Sequence, residues 1–223
     1  LFGLAATLLA YCLGDLLYRR CRYTPLLNPV FIAIVALIGF LMLLGVSYED
    51  YFTGAQFIHF LLGPATVALA IPLYNQFRTM RALLLPLLVS LCAGSLTAIV
   101  SGLGLAKLLG LSKASLISLA PKAATTPIAI GIVEHIGGVP ALAVGMVIIA
   151  GIGGAIGYPF LCRLIRVDDP IAQGFAVGLA SHGVGTARAL QVDPQSGAFA
   201  ALAMSLNGCL TAVLAPLFVH WLV

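Results

Sequence analysis

The stretch Gly178-Leu179-Ala180-Ser181-His182-Gly183-Val184-Gly185-Thr186-Ala187-Arg188 sets two hydroxyls, an imidazole and a guanidinium inside an otherwise apolar run. Each group has a definite chemistry. A histidine titrates near neutrality, so His182 is suited to carry a proton. An arginine holds a carboxylate by two parallel hydrogen bonds, which suits Arg188 to an organic anion. Ser181 and Thr186 offer hydroxyls, and Gly183 and Gly185 let the backbone turn sharply or approach a ligand. Within a bilayer, polar backbone and charge are tolerated only where protein or a water-filled cavity surrounds them. The stretch therefore reads as the floor of a small-molecule site. A polar loop outside the membrane, a packing histidine and an interfacial arginine would leave the same residues.

A second constellation is Ala120-Pro121-Lys122-Ala123-Ala124-Thr125-Thr126-Pro127. A lysine at mid-membrane costs about 2.5–3.5 kcal/mol on insertion scales, so something must compensate it. Pro121 and Pro127 remove two backbone donors, which predicts a broken or kinked helix. Freed backbone groups and the hydroxyls of Thr125 and Thr126 can then face a ligand. Lys122 and Arg188 together make a small cationic site for an organic monoanion; alternatively, Lys122 snorkels to the interface. Asn207, a polar residue in the last apolar segment, is expected to cap a half-helix or to pair across helices.

Enzyme chemistry is not expected. The sequence has no Gly-x-Ser-x-Gly elbow, no HExxH and no P-loop, and its seven acidic residues lie in loops or near segment ends. Cys12, Cys21, Cys92, Cys162 and Cys209 are scattered and odd in number, which reads as small apolar residues in helices, not metal ligands or disulfides. No cofactor is expected, and no basic patch with interleaved aromatics points to nucleic acid.

The elements that must position these groups are membrane helices. Of 223 residues, 61% are hydrophobic and 8% charged, where a soluble domain carries roughly 25% charged residues. The apolar run Leu1 to Leu17 precedes Arg19, Arg20 and Arg22, the reverse of a signal peptide's charge order, and the missing initial Met suggests residues upstream. Eight apolar segments can be drawn, at about 1–18, 28–47, 56–74, 82–106, 114–133, 139–160, 171–188 and 195–222. Asp15 lies four residues before Arg19, a spacing that pairs them on a helix. Tyr48 and Tyr51 close the second segment with residues suited to a membrane interface.

The chain repeats itself. A shift of 114 residues lays Leu88, Gly94, Leu96, Thr97 and Ala98 on Leu202, Gly208, Leu210, Thr211 and Ala212, and Ile34, Ala36, Ile38 and Gly39 on Ile148, Ala150, Ile152 and Gly153. Such repeats are common in secondary transporters. The expected fold is an all-α integral membrane protein of two inverted repeats, 1–112 and 113–223, forming one membrane domain. Each repeat holds three spanning helices plus a re-entrant or broken helix. Charge guides that choice. With segments three and seven (56–74 and 171–188) turning back, Arg19, Arg20, Arg22, Lys107, Lys113, Arg163 and Arg166 share the cytoplasmic side, and Arg78 and Arg81 lie outside, as does each terminus.

Several of these stretches resemble hallmarks of the LrgB/CidB family. They are Leu62-Gly63-Pro64-Ala65-Thr66-Val67-Ala68-Leu69-Ala70-Ile71-Pro72-Leu73-Tyr74, Pro121 to Pro127, Ala180 to Ala189, Leu206-Asn207-Gly208 and Ser47 to Phe52. The resemblance covers nearly the whole chain and is strongest to Gram-negative inner-membrane members. Gly183-Val184 stands where the usual motif has alanine-isoleucine, which touches substrate detail and not class. The resemblance implies a holin-like or antiholin-like protein tied to murein hydrolase export and cell lysis. It also implies a small-acid transporter, since the second half of the plastid glycolate/glycerate translocator is similar. Joined to the residues, it leads to a secondary transporter of small monocarboxylates working by alternating access, the antiholin-like role being the alternative. The expected substrate site is Pro64, Ala65, Thr66, Lys122, Thr125, Thr126, Ser181, His182, Gly183, Gly185, Thr186, Arg188 and Asn207. Half-helix ends around Pro64 and Ser181 would supply amides, which favour anions. The implied partners are a small organic anion, the lipid bilayer, an LrgA-type membrane protein and a second copy of the chain, in a multi-pass protein of the bacterial inner membrane.

Overall fold

The computed structural model describes residues 1–21, 24, 27–61, 64, 67–68 and 70–222, and these form helices with no strand among them. The chain divides into two compact units, Leu1–Ala70 and Ile71–Val223. The first unit holds α1 (Phe2–Arg20), α2 (Pro29–Leu44) and α3 (Tyr48–Phe60). Asn28 starts α2 by accepting from the amides of Val30 and Phe31 at 2.9 and 3.3 Å, with Pro29 at the helix start where a missing N–H costs nothing. Ser47 starts α3 the same way, accepting from the amide of Asp50 at 3.1 Å. Arg19 pairs with Asp15 at 2.7 Å, as the spacing predicts. Small residues let α1 and α3 touch backbone to backbone: a Cβ on Gly54 would stand 2.7 Å from the amide nitrogen of Gly3. Thr7 and Tyr51 join their hydroxyls at 2.7 Å beside that crossing. The expected turn in segment 56–74 is Gly63-Pro64-Ala65-Thr66, of which Gly63, Ala65 and Thr66 lie outside the described residues.

The second unit holds α5 (Phe77–Ala82), α6 (Leu84–Leu108), α7 (Lys113–Leu119), α8 (Thr126–Ile136), α9 (Pro140–Leu164), α10 (Pro170–Val192) and α11 (Pro194–Leu222), and α4 (Ala70–Asn75) leads into it. Helices α6, α9 and α11 are long and apolar enough to cross a membrane. Leu85, Val89, Leu105, Ile149 and Val213 on their outer faces are exposed. In water that apolar surface would be unstable, whereas lipid accepts it. The chain is a membrane protein.

Helix directions follow from the packing. Leu87 and Leu91 of α6 cluster with Phe199 and Ala203 of α11. Ser95 bonds Asn207, and Ile99, Leu103 and Ala106 cluster with Ala215 and Val219. These two helices therefore run the same way. An inversion between repeats requires opposite directions, because the shift of 114 residues matches α6 with α11; this pair does not have them. Helix α9 runs against both. Its start follows Gly138 and Val139, which pack on Ile117 and Ser118, and its last turns, at Tyr158 and Cys162, reach Ala200 near the start of α11.

The fifth segment, expected to span, does not. Lys113 and Ile117 of α7, Ile136 of α8, and Pro216, Val219 and His220 of α11 line one cavity, so both arms of 113–136 reach the end where α11 finishes. Between the arms, residues 120–125 reach the middle of α11 at Asn207. Segment five is a re-entrant hairpin with a helical arm on each side. The reason lies at Pro121, where the chain cannot continue α7, and in Ser118, whose hydroxyl receives the amide of Val139 at 2.9 Å and ties the returning chain to the first arm.

This corrects the expected sidedness. Met80 and Leu83, beside Arg78 and Arg81, pack at the start of α6 and α11, and Arg163 closes α9 at that same end. Arg78, Arg81, Arg163 and Arg166 share one end of the unit, and Lys107 and Lys113 hold the other. The arginine-rich end is expected in the cytoplasm. In a cysteine-free background, a membrane-impermeant thiol reagent should label Arg78→Cys and Arg163→Cys from one face and Lys113→Cys from the other. Labelling of the first two from opposite faces would refute the arrangement.

Candidate functional site

A second hairpin enters from the arginine-rich end. Residues Pro170–Val192 form two helical arms joined by a kink at His182, whose φ of 40° and ψ of −129° are non-helical. The contacts with α11 show the reversal. Along the first arm, a Cβ at Gly174 would strike the backbone of Ser196, and one at Gly178 would strike that of Ala200, so contacts advance in step. Past the turn they run backwards: Thr186 reaches Met204, and Leu190 packs on Gly197. Gly185 lets the two arms close, because a Cβ there would stand 2.6 Å from the carbonyl oxygen of Val177 and from Cβ of Ser181. The expected turn at 171–188 is thus present, but the residue in the unusual conformation is His182 and not a neighbouring glycine. Such a conformation in a non-glycine residue costs about 1–3 kcal/mol and needs support. The His182 ring is buried, with Nε2 2.9 Å from the carbonyl oxygen of Val147, and its own carbonyl accepts the Thr186 hydroxyl at 2.8 Å.

The bed of this turn is glycine on α9. A Cβ at Gly151 would stand 2.5 Å from Cε1 and 2.7 Å from Nε2 of His182, and one at Gly154 would overlap the Ser181 hydroxyl. Ser181 is fully buried and its Oγ has no hydrogen-bond partner among the described residues. An unpaired buried hydroxyl is uncommon in packed proteins.

The opposite tip is the turn at 120–125. The amide of Ala124 donates to the Pro121 carbonyl at 2.9 Å, and Pro121 is buried. Thr125 occupies the position before α8, yet its side chain makes no capping bond, so the positive end of α8 opens toward the middle of the unit uncapped. Lys122 is half-buried and its ammonium donates to the carbonyl of Ala98 at 2.7 Å. It reaches that carbonyl because residue 102, one turn further along α6, is glycine; a Cβ there would stand 3.0 Å from Cε and 3.1 Å from Nζ.

Asn207 joins the two tips. Its Nδ2 donates to the carbonyl of Ala123 at 2.9 Å and to that of Leu179 at 3.2 Å. Its Oδ1 accepts from Ser95 at 2.6 Å and from Thr211 at 3.4 Å. A carboxamide has two donor hydrogens and two acceptor lone pairs, and all four are used. Asn207 is fully buried.

Asn207 therefore bonds the turn that holds Lys122, Thr125 and Thr126 at Ala123, and the arm that leads to Ser181, His182 and Gly183 at Leu179, with Gly185 and Thr186 on the returning arm. Arg188 is on the returning arm of α10, six residues past the turn, or about 9 Å at 1.5 Å per residue. Pro64 is exposed in the first unit, and Ala65 and Thr66 lie outside the described residues. Ser95, Gly102, Gly151 and Gly154 were not foreseen. The spacing of Gly151 and Gly154 on one helical face was the available signal for close packing. All five cysteines are free.

The LrgB-like family profile matches residues 7–221. The chain is 38% identical over 222 residues to the "Antiholin-like protein LrgB" of Bacillus mycoides strain KBAB4, covering 99% of this chain and 96% of the relative. The proteins of the same name from Bacillus cereus strains B4264 and AH187 match with the same identity and coverage. No solved structure matches. The chain belongs to the LrgB-like family.

Proposed function

We propose that this chain acts in the bacterial inner membrane as an antiholin-like protein that modulates murein hydrolase export and cell lysis. One observation carries the reading: relatives that bear the antiholin-like name align with 99% of the chain, so the kinship covers the whole protein and not one motif. The bonds by which Asn207 ties both hairpins agree with a protein that restrains passage. An LrgA-type membrane protein and a second copy of the chain are the partners this reading proposes. Deleting the gene should raise secreted murein hydrolase activity and the rate of detergent-induced lysis, and a plasmid copy should restore both. Unchanged values in the deletion strain would sink the proposal.

A second reading is favoured by a separate observation. Two hairpins that dip from opposite ends and meet at mid-depth recur where a solute is handed between two sides, because broken backbone is tolerated only around a cavity or within protein. Lys122 and the uncapped start of α8 offer an anion a cation and free amides. On this reading the chain is a secondary transporter of small monocarboxylates. Purified chain in liposomes should take up labelled glycolate, glycerate or pyruvate saturably, with competition by unlabelled acid. Uptake that rises linearly with concentration, or none, would exclude a carrier.

A further inference from the structure

Asn207 sits where two independent hairpins end. One comes from the Lys113–His220 end of the unit and carries the Ala123 carbonyl at its tip. The other comes from the arginine-rich end and carries the Leu179 carbonyl one turn before His182. Each receives one of the two Nδ2 hydrogens, at 2.9 and 3.2 Å. The acceptor side of the same amide is anchored elsewhere, on Ser95 of α6 and on Thr211 of α11 itself. The anchor and the two held parts are thus chemically separate. Breaking one Nδ2 bond leaves the other, and the anchor, in place.

We propose that Asn207 is a latch that holds both hairpin tips and lets them withdraw only one at a time. Withdrawal of the α7–α8 hairpin opens the middle toward one end of the unit, and withdrawal of the α10 hairpin opens it toward the other. While either Nδ2 bond stands, no continuous path exists. The side-chain chemistry suits this duty. Aspartate lacks the donors, serine has a single one, and leucine, of similar volume, has none. The seats of the tips are separable as well. The α10 tip rests on Gly151 and Gly154, where Ser181 packs with its hydroxyl unpaired. The other tip is held through Lys122 on Ala98 and Gly102. A tip secured by few bonds besides the latch can leave its seat at modest cost, and an unpaired Ser181 hydroxyl gains a partner when it does.

The test uses the full chain in liposomes, freed of its native cysteines, with reporter cysteines at Ala124 and Ser181. Both positions are fully buried, so each reacts with a membrane-impermeant maleimide only when its hairpin withdraws. Asn207→Leu should raise the labelling rate at least tenfold at both reporters, each from its own face. Asn207→Ser keeps one donor and should free one reporter while the other stays at the parental rate. Ser95→Ala and Thr211→Val leave both Nδ2 bonds and should label as the parent does. Circular dichroism and size-exclusion profiles establish that each variant is folded, and should Asn207→Leu fail to fold, Asn207→Ser decides alone. Parental labelling in a folded Asn207→Leu or Asn207→Ser protein would overturn the latch. Equal acceleration in Ser95→Ala or Thr211→Val would overturn it too, because packing around the amide and not its two donors would then hold the tips.

Discussion

Gly178→Leu is expected to unseat the α10 hairpin and to leave little folded protein. A Cβ at residue 178 would stand 2.5 Å from Cα and 2.6 Å from the carbonyl carbon of Ala200, and Ala200 is itself fully buried. The obstacle is backbone in the middle of a long helix, so no rotamer change relieves it. Overpacking ordinarily costs about 1–3 kcal/mol. A leucine driven into helical backbone belongs at or beyond the top of that range, a large share of the roughly 5–15 kcal/mol that holds a protein together. The damage spreads, because lifting α10 from α11 also removes the Leu179 carbonyl from Asn207 and the His182 ring from Val147. Gly153 is the control. Nothing stands within 4 Å of a Cβ there, and replacing a helical glycine by alanine gains roughly 1 kcal/mol of helix propensity. In detergent, Gly178→Leu should lower the melting temperature by more than 10 °C or elute as aggregate, and Gly153→Ala should melt at or above the parent. A monodisperse Gly178→Leu protein with parental melting would contradict the close approach of α10 and α11.

The sequence foretold breaks better than it foretold directions. Pro121 and Pro127 remove backbone donors, a local effect, and the chain does break between them. Ser181 to Gly185 announces a reversal through its glycines and polar groups, and the reversal is there. Which way the chain leaves a break is decided by distant partners. Residues 114–133 are apolar and long enough to cross, so hydropathy counts them as a span. What turns them back is the Ser118 hydroxyl bonding the Val139 amide and Gly138 fitting against Ile117, contacts that need α9 already in place. The misplaced arginines follow from that one error, since each later segment inherits its side from the one before. Asn207 was legible as a costly polar residue in an apolar helix, and its use was therefore expected. Its four partners lie on α6, the 120–125 turn, α10 and α11, and no spacing in a single chain reports such a convergence. A pairing of Lys122 with Arg188 depends on convergence of the same kind, because the two lie on separate hairpins.

Lys122→Met is expected to separate the two functional readings, because it should leave the fold intact while removing a charge from the 120–125 turn. The ammonium donates to the Ala98 carbonyl, on a shelf that Gly102 leaves open. A carbonyl offsets only part of the cost of a lysine at this depth, a cost of about 2.5–3.5 kcal/mol on insertion scales. Methionine keeps the length of the stem and carries no charge, so the variant should melt at or above the parent. Stabilising replacements are common, so a functional role is marked only if the stabilised variant also loses activity. If the chain carries organic anions, Lys122→Met should reduce saturable uptake at least a hundredfold, about 2.7 kcal/mol at 1.36 kcal/mol per tenfold step. Gly102→Ala, which crowds the shelf without removing the charge, should reduce uptake by roughly tenfold, or about 1.4 kcal/mol. If the chain restrains lysis through partners and carries nothing, both variants should complement the deletion strain in hydrolase secretion and lysis as the parent does. A Lys122→Met protein that is folded and takes up anion at the parental rate would make Lys122 a packing residue, and the anion site at the hairpin tips would have to be abandoned.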